Sequence, residues 1–233
     1  MPDLLLEEHY ILYIDLLGYK VIINEIPEQE FLKIINKSYN EAKRIINIMS
    51  QPTHSNSVFD YKVFSDNIVV ATTADSIYAL YSLSYIAYIL QRAFIDKKIL
   101  CRGAITKGLL YIDQEYVFGS GLIRAYELED TVAYYPRIIL DRLAETAELL
   151  KLYDVYYKDN DGYIIIDYLR NREQEIQRSV LFLTKHKQVI ESGLGKKQKN
   201  ECVYQKYAWC REYHNSVCSR YGTDNLSITD TIE

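Results

Sequence analysis

Two aspartates stand where apolar strands stop. Asp15 ends the run Tyr10-Ile11-Leu12-Tyr13-Ile14-Asp15-Leu16-Leu17-Gly18-Tyr19-Lys20, and Asp66 lies within Tyr61-Lys62-Val63-Phe64-Ser65-Asp66-Asn67-Ile68-Val69-Val70. A pair of carboxylates at one rim of a sheet is what holding divalent cations against a phosphate requires. Asp and Asn also favour strand ends because their side chains hydrogen-bond the nearby backbone. Taken singly, each aspartate fits either reading.

The elements that would carry them follow from periodicity. Alternation over residues 9–15 predicts a strand with Ile11, Tyr13 and Asp15 on one face. Past the Gly18 turn, Pro27 and Glu28 open an amphipathic helix. Phe31, Ile35, Tyr39, Ala42, Ile45, Ile46 and Met49 form its inner stripe, and Glu30, Lys33, Lys37, Glu41 and Arg44 its outer one. A polar loop, 51–57, leads to two β-rich runs, 58–64 and 68–72, with Ser65-Asp66-Asn67 as their hairpin turn. Asp75 or Ser76 caps a helix to about Phe94, apolar nearly all round and therefore buried, and too short and polar to span a bilayer. Strands at 99–110 and about 111–118, a helix at 122–129, a strand at 137–140 and a helix at 141–152 come next. A hairpin turns at Asp159-Asn160-Asp161-Gly162, and the chain is helical from Glu173, broken by a basic loop at 192–199. The tail after Gly222 is expected to fray. Strand, helix, hairpin, helix, strand is the ferredoxin-like split βαβ order, an α+β fold with helices on one face of an antiparallel-rich sheet. Residues 1–170 read as the core and 171–233 as a helical C-terminal extension.

Composition narrows the class. The 233 residues are 48% hydrophobic and 25% charged, an ordinary globular balance. A net charge of -5 argues against a nucleic-acid partner, whose phosphates call for excess Lys and Arg. The first residues carry no basic leader and no span is apolar enough for a membrane, so a cytoplasmic protein is expected. Tyrosine is abundant, 23 against 6 Phe and 1 Trp, which suits half-buried faces or a subunit interface. Cys101, Cys202, Cys210 and Cys218 are expected as free thiols. Cys210 and His214 are four apart, but without a CxxC or a second pair no zinc site is expected.

Over roughly residues 9–141 the sequence resembles the catalytic domain of class III nucleotidyl cyclases. Tyr-Ile-Asp-Leu-Leu-Gly-Tyr, Phe-Ser-Asp-Asn-Ile-Val, Arg-Gly-Ala-Ile-Thr-Lys-Gly and Phe-Gly-Ser-Gly-Leu-Ile-Arg-Ala-Tyr-Glu-Leu-Glu look most like the bacterial pyrimidine cyclases of Pycsar anti-phage systems. The resemblance implies that Asp15, Asp66 and the Leu16 carbonyl hold two Mn²⁺ or Mg²⁺ ions. It implies that the Leu17-Gly18-Tyr19 backbone faces a triphosphate, as a helix start favours anions. UTP or CTP would be cyclised to a 3′,5′-cyclic monophosphate that reaches a separate effector. Head-to-tail homodimers are the family's usual assembly, with the tyrosine-rich face and the region beyond 173 as interface candidates.

Base recognition carries over to Lys62 and Tyr116. Lys62 is four residues before Asp66, and Tyr116 falls where purine cyclases place an acidic partner. A tyrosine there fills the space a purine needs and favours a pyrimidine. The asparagine and arginine that purine cyclases use on the helix after Gly119 fall on Ile123 and Glu127, which cannot do their work. Arg124 or Arg102 is the expected replacement charge, with a surface ion pair as the plain alternative. Lys185, Lys187, Lys196, Lys197 and Lys199 are further basic candidates, more simply read as solvated. A purine cyclase is the alternative enzyme, a diguanylate-type one being disfavoured for want of a Gly-Gly-Asp/Glu-Glu-Phe hairpin. An inactive nucleotide-binding domain is the alternative outside catalysis.

Overall fold

Strand β1 (Glu7–Leu16) lies at the centre of the molecule because both of its faces are apolar. A computed structural model describes residues 5–20, 24, 26–49, 59–145, 155–170, 176–195 and 201–229, with the side chains of some residues in the first long helix and at 176–178 left aside. The elements are β1, α1 (Glu28–Met49), β2 (Asp60–Phe64), β3 (Asn67–Thr73), α2 (Ile77–Ile95), β4 (Cys101–Ile112), β5 (Val117–Phe118), α3 (Ser120–Thr131), β6 (Ile138–Leu140), β7 (Tyr156–Lys158), β8 (Ile164–Ile166), α4 (Ile176–Gly195) and α5 (Glu201–Arg220). The eight-stranded sheet runs β2-β3-β1-β4-β6-β8-β7, with β5 paired to β4. All pairs are antiparallel except β4 with β6. The first four positions, β2-β3-β1-β4, are the ferredoxin-like order read from the sequence.

One face of β1 (Leu12, Ile14, Leu16) enters a core shared with α2 and with Phe182, Ile190, Cys210 and Val217 of α4 and α5. The C-terminal helices therefore complete the same core as the sheet. Ser76 caps α2 by accepting from Ala79 N at 3.2 Å, and the helix is buried on most sides, as its composition requires.

The opposite face (Ile11, Tyr13, Val69, Ala71, Leu110) is covered by Ala125 and Leu122 of α3. This corrects the expectation of helices on one face only. Two glycines allow the approach: a Cβ on Gly108 would meet Gly121 Cα at 2.7 Å, and one on Gly121 would meet Ile11 Cδ1 at 2.4 Å. Alternation along β1 gave equal apolar weight to both faces, and the second needed a cover.

Three further expectations change. Helix α4 continues through Gly195, so the break after Ser192 comes later than read. The expected fraying after Gly222 does not hold through residue 229: Ile228 is buried, and its N–H and C=O bond the Asn215 side-chain amide at 2.8 and 2.9 Å. After β6, residues 142–144 form a turn, and the expected helix beyond residue 145 lies outside the described residues, as do the 51–57 loop, Lys196, Lys197 and Lys199; of the inner stripe of α1, the side chain of Phe31 is described and is buried.

Tyrosine finds its use in the seam between sheet and C-terminal helices. Tyr135 stacks on Trp209, Trp209 on Tyr213, and Tyr213 packs against Tyr168. Their hydroxyls are satisfied inside: Tyr213 donates to Asp167 at 2.5 Å and Tyr168 meets His186 at 3.1 Å.

That seam holds a buried histidine pair with a forced hydrogen-bond direction. His214 Nε2 lies 3.1 Å from the Leu226 carbonyl and must donate to it, so Nδ1 accepts. His186 Nδ1, 3.1 Å away, then donates, and His186 Nε2 accepts from Tyr168. A proton added to His214 Nδ1 sets N–H against N–H, and one added to His186 Nε2 forces the Tyr168 hydroxyl to give up donating and accept instead. Burial lowers the pKa of both histidines, His186 further through the His214 charge, while at His214 the Leu226 bond and Glu191 oppose burial and Lys187 adds to it. With folded values below about 6.5, the unfolded chain binds more protons in acid, so this contribution is present above pH ~6.5 and lost as pH falls below it. Glu129 acts in the opposite sense, its pKa pushed up to about 7 by burial. Chemical denaturation at pH 7.5 and 5.5 should therefore show wild type losing more stability on acidification than His186→Gln. Parallel pH slopes for the two proteins would refute the coupling.

Candidate functional site

The end of β1 brings the two aspartates to one place. Asp15 pairs in register with Asn67 on β3 and with Arg102 on β4. The β2–β3 hairpin turns at Ser65-Asp66, with Ser65 at φ 55, and Leu16 N donates to Asp66 O at 3.0 Å. In extended backbone a residue's N–H and C=O point to the same side, so the Leu16 carbonyl also faces this turn. Asn67 supports both strands, donating to Asp66 Oδ1 at 3.2 Å and accepting from Tyr13 Oη at 2.6 Å.

Burial raises the Asp15 pKa, Arg102 opposes it, and the Asp66 charge adds to it. A cation between the two carboxylates relieves that repulsion, and hard oxygen donors suit Mg²⁺ or Mn²⁺. Among the described residues no group of three or more His, Cys, Asp or Glu is arranged to hold a metal. Asp15, Asp66 and a backbone carbonyl make a partial set of the kind that magnesium completes with substrate phosphates and water. The donors fit the metal the resemblance implies.

Arg102 lies on the same strand face as Asp15 and is largely buried. Its Nε is 3.3 Å from Asp15 Oδ2 and 2.5 Å from Glu129 Oε1, with Asp130 at 3.9 Å. The N–H is directed at Asp15, so the shorter contact is an ion pair without a well-aligned hydrogen bond. Arg124 lies elsewhere on α3. Its Nε and Nη2 grip Asp141 at 2.5 and 2.8 Å, and Thr106 Oγ1 donates to the same carboxylate at 2.6 Å. Burial works to raise the Asp141 pKa, but the Arg124 and Thr106 hydrogen bonds bring it below its ordinary value.

The loop expected to face a triphosphate has a left-handed glycine, Gly18 at φ 77, followed by helical Tyr19 and Lys20. The Leu17 N–H is already committed to Leu100 O at 2.8 Å, which removes one of the three expected donors. Tyr19 packs edge-on against Phe31 at 5.1 Å.

Lys62 and the Tyr116 turn come together. Lys62 Nζ donates to Gln114 O at 2.5 Å, and Asp113 Oδ1 accepts from Tyr116 N at 2.7 Å. The Tyr116 ring is 58% exposed. Ile123 and Glu127 are exposed on α3. Lys185 pairs with Asp96, and Lys187 donates to Ser227 O.

One charged residue at the site went unread in the sequence. Glu129 is buried beside Arg102, and the signal was present: Gly121, Ala125, Leu128 and Glu129 share the inner stripe of α3. Lys206 comes from α5 and gave no local signal. Burial lowers its pKa, Arg102 adds to this, and Asp15, Cys202 and Glu129 oppose it.

No protein-family model matches the sequence, and no curated protein matches it. Solved structures similar in fold include the catalytic core of a rhodopsin-guanylyl cyclase with converted specificity in complex with ATPαS, at 14% identity and TM-score 0.46, covering 69% of this chain and 96% of that one. Another is an adenylate cyclase from Trypanosoma brucei, at 12% identity and TM-score 0.49, covering 72% and 91%. A third, from Silicibacter pomeroyi and described as an adenylate/guanylate cyclase/hydrolase, has 14% identity and TM-score 0.44, covering 70% and 95%.

Proposed function

We propose that this protein is a metal-dependent nucleotidyl cyclase of pyrimidine specificity. It converts UTP, or CTP, to the 3′,5′-cyclic monophosphate and pyrophosphate, and the product acts as a second messenger in anti-phage defence. The observation that carries this reading is the register of β1 against the β2–β3 hairpin, which supports Asp15, Asp66 and the Leu16 carbonyl as one oxygen-donor set.

When bound there, Mg²⁺ or Mn²⁺ supplies acidification of the ribose 3′-hydroxyl and neutralisation of the triphosphate. The chain's own residues position and balance charge. Asp15 and Asp66 hold the cations, and Arg102 lies beside Asp15 where the phosphates would approach. Gly18 turns the backbone so that the Tyr19 amide starts a helix toward an anion. Arg124 has two of its nitrogens fixed by Asp141, which leaves Nη1 at a defined position for a ligand oxygen. Tyr116 occupies space a purine needs, and Lys62 supports its turn through Gln114. Exposed Phe118, Ile123 and Tyr126 favour a second copy of the chain as partner.

The exposure of Ile123 and Glu127 favours one further reading, a cyclase-like domain that binds nucleotide without turnover. Incubation with Mn²⁺ and each of ATP, GTP, CTP and UTP, with products resolved by mass, separates the possibilities. Cyclic product from UTP or CTP alone is expected. Turnover of ATP or GTP sinks the pyrimidine assignment, and binding without product from any of the four sinks the enzyme.

A further inference from the structure

One nitrogen of Arg102 serves two acids. Arg102 on β4 and Asp15 on β1 are register partners, so their side chains leave the sheet on the same face, the one that α3 covers. Glu129 comes down onto that end of the sheet from the last turn of α3, where it continues the buried stripe of Gly121, Ala125 and Leu128. Its side chain is 3% exposed, against 15% for Arg102 and 19% for Asp15. Asp15 Oδ2 lies 3.3 Å from Arg102 Nε, and Glu129 Oε1 lies 2.5 Å from the same nitrogen. Asp130, 3.9 Å from Nη2, is exposed.

Arg102 Nε carries a single hydrogen. It is directed at Asp15, and Glu129 Oε1, nearer and buried, has no hydrogen-bond donor among the described residues. A buried acceptor without a donor is costly, so two arrangements compete. A small turn of the guanidinium gives the N–H to Glu129 and takes it from Asp15. While Asp15 has no other cation beside it, its charge holds the hydrogen. Once another cation shares Asp15, Arg102 is repelled from it, and Glu129 offers a charged acceptor with an open lone pair 2.5 Å away.

We propose that Glu129 is a positioning residue of the cation site, which takes the Arg102 N–H from Asp15 when a divalent cation is held there. The proposal rests on the reading of Asp15 and Asp66 as cation holders, and it names the acid that frees Asp15 for that work. Without Glu129, Arg102 stays on Asp15 and competes with the cation for one carboxylate. With it, cation binding and the Arg102–Glu129 bond strengthen each other, and the guanidinium is kept beside the site.

Titration of the full chain with Mn²⁺ alone, the free ion followed by electron paramagnetic resonance, tests this without turnover. At pH ~8, above the value of about 7 to which burial raises Glu129, Glu129→Gln should weaken Mn²⁺ binding about tenfold. Adding Arg102→Met removes the competitor and should return the affinity to within about threefold of wild type. Asp130→Asn removes an equal charge from the exposed acid near the same guanidinium and should stay within about twofold, which separates exchange of the N–H from a general change of charge. In ¹⁵N-labelled wild type, Mg²⁺ should shift the Arg102 Nε–H signal and leave it protected from exchange with water, a response that a merely structural ion pair does not give. Thermal melts without metal identify any variant that fails to fold, in which case the wild-type Nε–H signal decides. Binding by Glu129→Gln within about twofold of wild type overturns the proposal, as does an equal loss in Asp130→Asn or a double variant as weak as Glu129→Gln. An Nε–H signal unmoved by Mg²⁺, or no Mn²⁺ binding by wild type, also overturns it. If wild type makes no cyclic nucleotide yet its Mn²⁺ binding depends on Glu129 through Arg102, the cyclase reading falls and this one stands. If wild type cyclises UTP, loses Mn²⁺ with Asp66→Ala and is matched in Mn²⁺ binding by Glu129→Gln, the reverse holds.

Discussion

Asp66→Ala is expected to lower cyclase turnover by about 10³-fold or more while leaving the fold intact, an effect worth ~4 kcal/mol of transition-state stabilisation. Asp66 lies in a two-residue turn and is half-exposed, so its side chain holds little of the core. Its backbone carbonyl, which accepts the Leu16 N–H, survives the substitution. The thermal midpoint should therefore move by no more than the small amount typical of surface changes. Asp15→Ala should match it in activity. That substitution also leaves Arg102 with Glu129 and Asp130 as its nearby acids. A second measurement separates metal holding from general damage: Mn²⁺ with tripolyphosphate should raise the wild-type midpoint and not that of Asp66→Ala. Full turnover in Asp66→Ala would falsify the metal assignment.

Arg137→Met is expected to destabilise the protein by about 3–5 kcal/mol, the usual consequence of stranding one partner of a buried ion pair. Arg137 is 2% exposed, ion-paired with Asp159 and Asp161, and donates to the Val132 carbonyl at 3.3 Å. Its own carbonyl accepts from Gly103 N at 3.0 Å, linking the pair to β4. Removing the guanidinium leaves the largely buried Asp159 carboxylate with neutral donors, the Trp209 indole N–H and the Asn160 backbone N–H, in place of a cation. In urea titrations the transition midpoint should fall with an unchanged slope. Adding Asp159→Leu to Arg137→Met should recover part of the loss, since an apolar pair of similar volume is tolerated where a lone charge is not. A loss below about 1 kcal/mol for Arg137→Met would show that this ion pair does not hold the seam.

Much of the fold was legible because its signals are local. Alternation placed β1 and its Ile11-Tyr13-Asp15 face, Ser76 announced α2, and Asp159-Asn160-Asp161-Gly162 announced a turn, with Gly162 at φ 89. The hairpin tip at Asp66 was readable for the same reason, a polar pair between two β-rich runs. The second cover of the sheet was less legible. Helix α3 has a short inner stripe of small residues, and what it packs on depends on Gly108 meeting Gly121 from another element. The docked tail was misread because Asn215, thirteen residues away, supplies the bonds that order Ile228.

Sequence by itself determined the carboxylates and their strand ends, because backbone alternation and turn chemistry act over a few residues. The resemblance read from the same residues implies that Ile123 and Glu127 stand where a purine cyclase has its asparagine and arginine. Only the tertiary structure decided which cations belong to which acids. Arg102 sits with Asp15 and Glu129, and Arg124 is held by Asp141. Charges act through space over several ångströms, and long basic side chains reach past their own element. Their partners are therefore set by how sheet and helices pack, which no local pattern records.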